Sequence, residues 1–135
     1  HKAHLARARQ AFEAHPAITI LGNPRADRLP IFSLLVQDSA GYADPQDFTR
    51  ALSDQYGIQA RGGCACAGPY GHRLLAIDRT ASDQMRAAIL AGDDSNKPGF
   101  TRLNFSALMT DEKADFIINA VCALASRGQS LRLTA

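Results

Sequence analysis

Two cysteines one residue apart, Cys64 and Cys66, lie in the run Arg61-Gly62-Gly63-Cys64-Ala65-Cys66-Ala67-Gly68-Pro69-Tyr70-Gly71-His72-Arg73. Glycine and alanine remove steric bulk around the thiols, and glycine adopts backbone conformations closed to other residues. A loop of this kind can bring its backbone close to a ligand. Arg61, His72 and Arg73 flank the thiols with cations, which favours a thiolate and so a nucleophile. Cys66 is the nucleophile candidate, because it sits between glycines rather than in an apolar stripe; a buried structural cysteine is the alternative. Cys64 is a second thiol, a redox partner or a filler. A Cys64–Cys66 disulfide would be strained at so short a spacing.

Other chemistries fit less well. A metal site built from Cys64, Cys66, His72 and the distant Cys122 lacks the paired ligand spacing of zinc sites, so no metal is expected. Gly63 and Gly68 are spaced as in a phosphate-binding loop, but Pro69-Tyr70 stands where Lys-Ser/Thr is required. The loop amides retain a capacity for anions. No Ser/His/Asp order and no carboxylate pair stands out. Arg102, set between Thr101 and Leu103, is a candidate carboxylate fork, and Arg61 is another. The plain alternative for both is a surface arginine paired with Asp or Glu. His72 reads as a hydrogen-bonded polar residue near the loop, and Cys122 as core.

The elements that carry these residues follow from periodicity. Residues 2–14 have helical spacing, with Leu5, Ala8 and Phe12 on one face, and His15-Pro16 ends the helix. Residues 18–21 form a short strand stopped by Gly22-Asn23-Pro24. Residues 31–36 are an almost unbroken apolar run, as in a central strand covered on both faces. Asp44 caps a helix whose first residue is Pro45; Phe48, Ala51 and Leu52 form its apolar stripe and Gly57 stops it. Residues 58–61 are a strand feeding the cysteine loop, and residues 72–77 a brief helix. Ser82 caps a further helix carrying Met85, Ile89 and Leu90, with Gly92 after it. Residues 93–99 form a polar loop. Along residues 100–106 a strand alternates, with Thr101, Leu103 and Phe105 on one face and Arg102 and Asn104 on the other. Thr110 caps the last long helix, whose stripe is Ala114, Ile117, Ile118, Val121 and Leu124 and whose end is Gly128. Residues 131–133 are a final edge strand. The order predicts an α/β (α+β) fold with helices packed on one small mixed or antiparallel sheet.

Length and composition bound the function. The 135 residues suffice for one domain with its own core. The net charge of +2 is close to neutral, and the cations are scattered without aromatic interleaving, so nucleic acid is not an expected partner. No apolar run is long enough to span a bilayer. Three cysteines without framework spacing suit a reducing compartment, and the cytoplasm is expected. The chain opens inside a helical pattern and reads as cut from something longer.

Taken in order, the segments Ile18-Thr19-Ile20-Leu21-Gly22, Tyr56-Gly57-Ile58-Gln59-Ala60-Arg61-Gly62-Gly63 and Lys97-Pro98-Gly99-Phe100-Thr101-Arg102-Leu103-Asn104-Phe105-Ser106, with the long final helix, resemble the C-terminal small domain of the class V aminotransferase family. That family uses pyridoxal phosphate and includes cysteine desulfurases and selenocysteine lyases. The resemblance spans residues 1–135 as a single small domain. It implies that Cys66, three positions after Gly63, is the residue that takes sulfur from L-cysteine as a persulfide. It also implies that Arg102 binds the substrate's α-carboxylate, and that Arg61 begins an Arg-x-Gly-x-x-Cys pattern. The subgroup with that pattern has polar or histidine residues where this chain has Cys64 and Ala65. The cofactor lysine belongs to a large domain that this chain lacks; Lys2, Lys97 and Lys113 are its only lysines, and Lys2 matches the start of the small domain rather than the cofactor lysine. A homodimer, an amino acid substrate and a sulfur acceptor are implied for the whole enzyme, while this chain alone is expected to be inactive. Two other readings stand beside this one: a class V aminotransferase or lyase in which Cys66 only packs, and a non-catalytic binding module.

Overall fold

Phe32, Leu34 and Val36 are buried while the residues between them are half-buried, and this alternation sets the centre of the fold. They belong to the strand β2 (Ile31–Asp38) of a computed structural model that describes residues 2–63, 68–93 and 98–130. Helix α1 (Lys2–Ala14) precedes strand β1 (Ile18–Ile20), and β2 turns into the short strand β3 (Gly41–Tyr42). Helices α2 (Pro45–Tyr56), α3 (Gly68–Leu74) and α4 (Arg79–Leu90) follow. Strand β4 (Thr101–Asn104) and helix α5 (Asp111–Ser130) complete the order. The chain is mixed α and β, and every strand pairing among the described residues is antiparallel.

β2 is the hub of the sheet. β1 pairs with it in the register Ile18↔Val36 and Ile20↔Leu34, and β4 in the register Phe32↔Leu103 and Leu34↔Thr101. Residues directly opposite in a ladder share a face. Ile18, Phe32, Leu34, Val36, Thr101 and Leu103 therefore line one side, and all are buried. Phe12 of α1, Phe48 and Leu52 of α2, and Ala114, Ile118, Val121 and Ala125 of α5 cover that side. Phe32 sits between two edge-on rings, with centroids 5.4 Å from Phe12 and 5.9 Å from Phe105. Such pairs add to the burial of the rings themselves. On the opposite side Ile31 is exposed while Ser33 and Leu35 are half-buried, so β2 is fully covered on one face and only partly on the other, where its apolar run suggested cover on both.

The helix ends follow local chemistry. Asp44 Oδ1 accepts from the backbone N–H of Gln46 at 2.7 Å, Pro45 occupies the first turn, and Gly57 closes α2 at φ 65°. Thr110 Oγ1 accepts from Lys113 N at 3.3 Å to start α5. The N–H of Glu112 itself and then the Thr110 hydroxyl hold the Glu112 carboxyl below its ordinary value.

Several expectations need correction. α4 is capped by Asp78, whose Oδ1 accepts from Ala81 N at 2.8 Å, and Ser82 lies inside the helix. α3 runs from Gly68 to Leu74, earlier than the 72–77 expected. Residues 58–61 make no strand; only Arg61 pairs, by a single bridge to Arg102. The strand read over 100–106 is the four residues of β4. Gly128 does not end α5 but lies within it, where a side chain would meet Asp38 Cβ at 3.3 Å; its smallness lets α5 pass close to β2. Residues 131–133 lie outside the described residues. Among the described residues, no helix is long and apolar enough to cross a membrane.

Candidate functional site

Buried Thr101 and Leu103 turn Arg102 to the face of the sheet opposite the core. Its guanidinium is exposed, and no carboxylate of the described residues lies within ion-pair distance of it. Arg102 and Ser33, its partner across the ladder, line a cleft of about 520 Å³. Tyr70 and Leu74, one helical turn apart on α3, also line it, as does Phe100.

Arg61 meets Arg102 through its backbone. Arg61 N–H donates to Arg102 O at 2.9 Å, and Arg102 N–H donates to Arg61 O at 2.7 Å. The two side chains therefore stand next to each other on the same face. Arg61 is exposed and has no ion-pair partner among the described residues, but it does not line the cleft.

The two glycines that follow act by close packing. A Cβ on Gly62 would stand 2.3 Å from Pro45 O and 2.7 Å from Thr49 Oγ1, at the start of α2. Gly63 has φ 99°, in the region that favours glycine, and its carbonyl accepts from Phe100 N at 3.2 Å. A Cβ on Gly99 would stand 2.5 Å from Gly63 C. The chain is thus fixed against α2 and the start of β4 immediately before the cysteines. Cys64 and Cys66, on which the nucleophile reading rests, lie outside the described residues, as do Ala65 and Ala67. The chain is described again from Gly68, the first residue of α3.

His72 does not face the cleft. Its Nε2 is 3.0 Å from Ser82 Oγ, a contact that ties α3 to α4. Cys122 is half-buried against the core, and loss of hydration pushes its thiol above the ordinary value. Among the described residues no three His, Cys, Asp or Glu side chains come together as metal ligands.

One cleft residue carries no pattern in the sequence. Arg28 lies in the connection between β1 and β2, in a stretch without periodicity, and only the fold brings it to the same cleft as Arg102. Its Nη2 donates to Ile31 O at 3.1 Å, and its guanidinium lies over the Phe32 ring, 5.1 Å from the centroid.

With Arg28 and Arg102 among its lining residues, the cleft can accept a small carboxylate. It offers no attachment point for pyridoxal phosphate among the described residues: no lysine lines it, Lys2 and Lys113 are on α1 and α5, and Lys97 lies outside the described residues. No family model matches the chain, and no curated protein matches it.

Proposed function

We propose that this chain is the small domain of a pyridoxal phosphate-dependent enzyme of the class V aminotransferase type, acting on L-cysteine in the manner of a cysteine desulfurase. The observation that carries the reading is the backbone pairing of Arg61 with Arg102. It joins the strand bearing an exposed guanidinium to the stem of the Gly-Gly-Cys loop. A carboxylate held by Arg102 and a thiol presented by the loop would then work from neighbouring anchor points.

Cofactor attachment belongs to a large domain outside this chain, and the roles assigned here are those of the chain's own residues. Arg102 binds the α-carboxylate through two parallel hydrogen bonds, which fixes the substrate's orientation. Ser33 offers a hydroxyl beside it, and Tyr70 and Leu74 restrict access of water. Cys66, assigned from its spacing to Gly63 and from the resemblance, accepts the substrate's sulfur as a persulfide, so that the carbon skeleton leaves as alanine. Cys122 takes no part, being held in the core as a protonated thiol.

The test is alanine and sulfide release from L-cysteine by the protein carrying both this domain and its cofactor-binding domain. Cys66→Ala is expected to lose both products with the cofactor spectrum intact. Arg102→Gln is expected to weaken kcat/KM for L-cysteine by about two orders of magnitude, as for loss of a charged bidentate contact. Equal turnover in wild type and Cys66→Ala would overturn the desulfurase reading.

A further inference from the structure

Arg28 and Arg102 both line the cleft, and no Asp or Glu of the described residues does. Neither has a carboxylate of the described residues within ion-pair distance. Arg61 adds a third guanidinium, directly opposite Arg102 in the ladder. Like charges placed opposite one another cost stability in a sheet, so this face holds a repulsion that the described residues do not relieve.

The chain has nearly as many acids as bases, 13 against 15. Among the described residues, Asp111 and Asp115 pair with Arg7, Glu13 with Arg9 and Asp47 with Arg50, and no carboxylate pairs with Arg28, Arg61 or Arg102. Arg28 is also held in place. The Ile31 carbonyl takes one of its donors and the Phe32 ring supports its plane, leaving the other N–H groups for a ligand. The apolar walls of the cleft, among them Leu74 and Phe100, strengthen the field of the two guanidiniums inside it.

We infer that the cleft takes a small amino acid that carries two anionic groups, with the α-carboxylate on Arg102 and the anion that ends its side chain on Arg28. The inference rests on Arg102 as the carboxylate anchor and does not depend on the fate of Cys66. Cysteine meets the description as its thiolate, and an amino acid with a side-chain carboxylate meets it at any neutral pH.

The experiment titrates the 135-residue chain with succinate and with propionate, which differ by one carboxylate, and follows backbone amide shifts by NMR at low salt. Succinate is expected to bind about tenfold tighter than propionate, the size of one charge-assisted contact. Arg28→Gln should remove that preference while leaving propionate binding as it was. Arg50→Gln, which deletes the same charge on α2 away from the cleft, should keep the preference. Equal binding of the two acids to the wild type, with both weakened in Arg102→Gln, would overturn the second anion site and leave the anchor standing. Propionate binding that Arg102→Gln does not alter would overturn the anchor and the inference with it.

Discussion

Arg61 and Arg102 exchange both backbone hydrogen bonds, at 2.9 and 2.7 Å, although Arg61 belongs to no strand. This single bridge is the junction between sheet and cysteine loop. What holds it in place is the close packing of Gly62 on α2 and of Gly63 on Gly99. Under the proposed function the stem of that loop must be rigid, since a small misplacement at the reacting atoms costs rate steeply.

Gly62→Ala tests that stem. Its new methyl would stand 2.3 Å from the Pro45 carbonyl oxygen, which is backbone and cannot rotate away. The expected cost is about 1–3 kcal/mol, as for other overpacked sites, read from the urea unfolding midpoint. Amide shifts should concentrate at Arg61 and Arg102 rather than spread through α1 and α5. A Gly62→Ala variant as stable as wild type, with unchanged shifts at both arginines, would show that the packing does not fix the stem.

The parts of the fold legible beforehand are those where one local rule acts alone. Asp44 followed by Pro45 leaves little choice about where α2 starts, and the alternation of Thr101 and Leu103 around Arg102 places the guanidinium on the outer face without tertiary information. Other elements depend on contacts that no local pattern carries. Asp78 and Ser82 are both good caps; Asp78 takes the position, and the Ser82 hydroxyl pairs with His72 instead. Gly128 resembles a stop signal but is a packing glycine under α5, set against Asp38. The two residues of β3 are too few to show a period. For the site, Arg102 was recognisable from alternation, whereas Arg28 sits in an irregular connection and becomes a cleft residue only when β1 and β2 pair.

Phe32 links the core to that cleft. Its ring packs edge-on against Phe12 and Phe105 and carries Arg28 on its face. Phe32→Ala should destabilise the chain by about 3–5 kcal/mol. Phe32→Leu keeps most of the volume, costs under about 1.5 kcal/mol for the core, and removes the surface on which Arg28 rests. The leucine variant should therefore remain folded and yet lose part of the preference for succinate over propionate. Retention of the full preference in a folded Phe32→Leu protein would show that Ile31 O alone positions Arg28.

Cys122 offers a test that separates the core thiol from the loop thiols. Burial raises its pKa above the ordinary 9.0. In a Cys64→Ser/Cys66→Ser background, Cys122 should react with a disulfide reagent at pH 8 several-fold more slowly than a free thiol, because the thiolate is the reacting species. Unfolding in urea should restore the ordinary rate. The linkage has a definite sign. With the folded pKa above the unfolded one, the native state holds the proton more tightly, so the contribution to stability is fully present below about pH 9 and is lost as pH rises through the folded value. The stability of this background relative to its Cys122→Ala counterpart should therefore be flat from pH 6 to 8 and fall above pH 9. A Cys122 that reacts as fast in the native chain as in urea, or a stability difference that rises with pH, would place the thiol in a solvated or cationic setting and make it a candidate nucleophile.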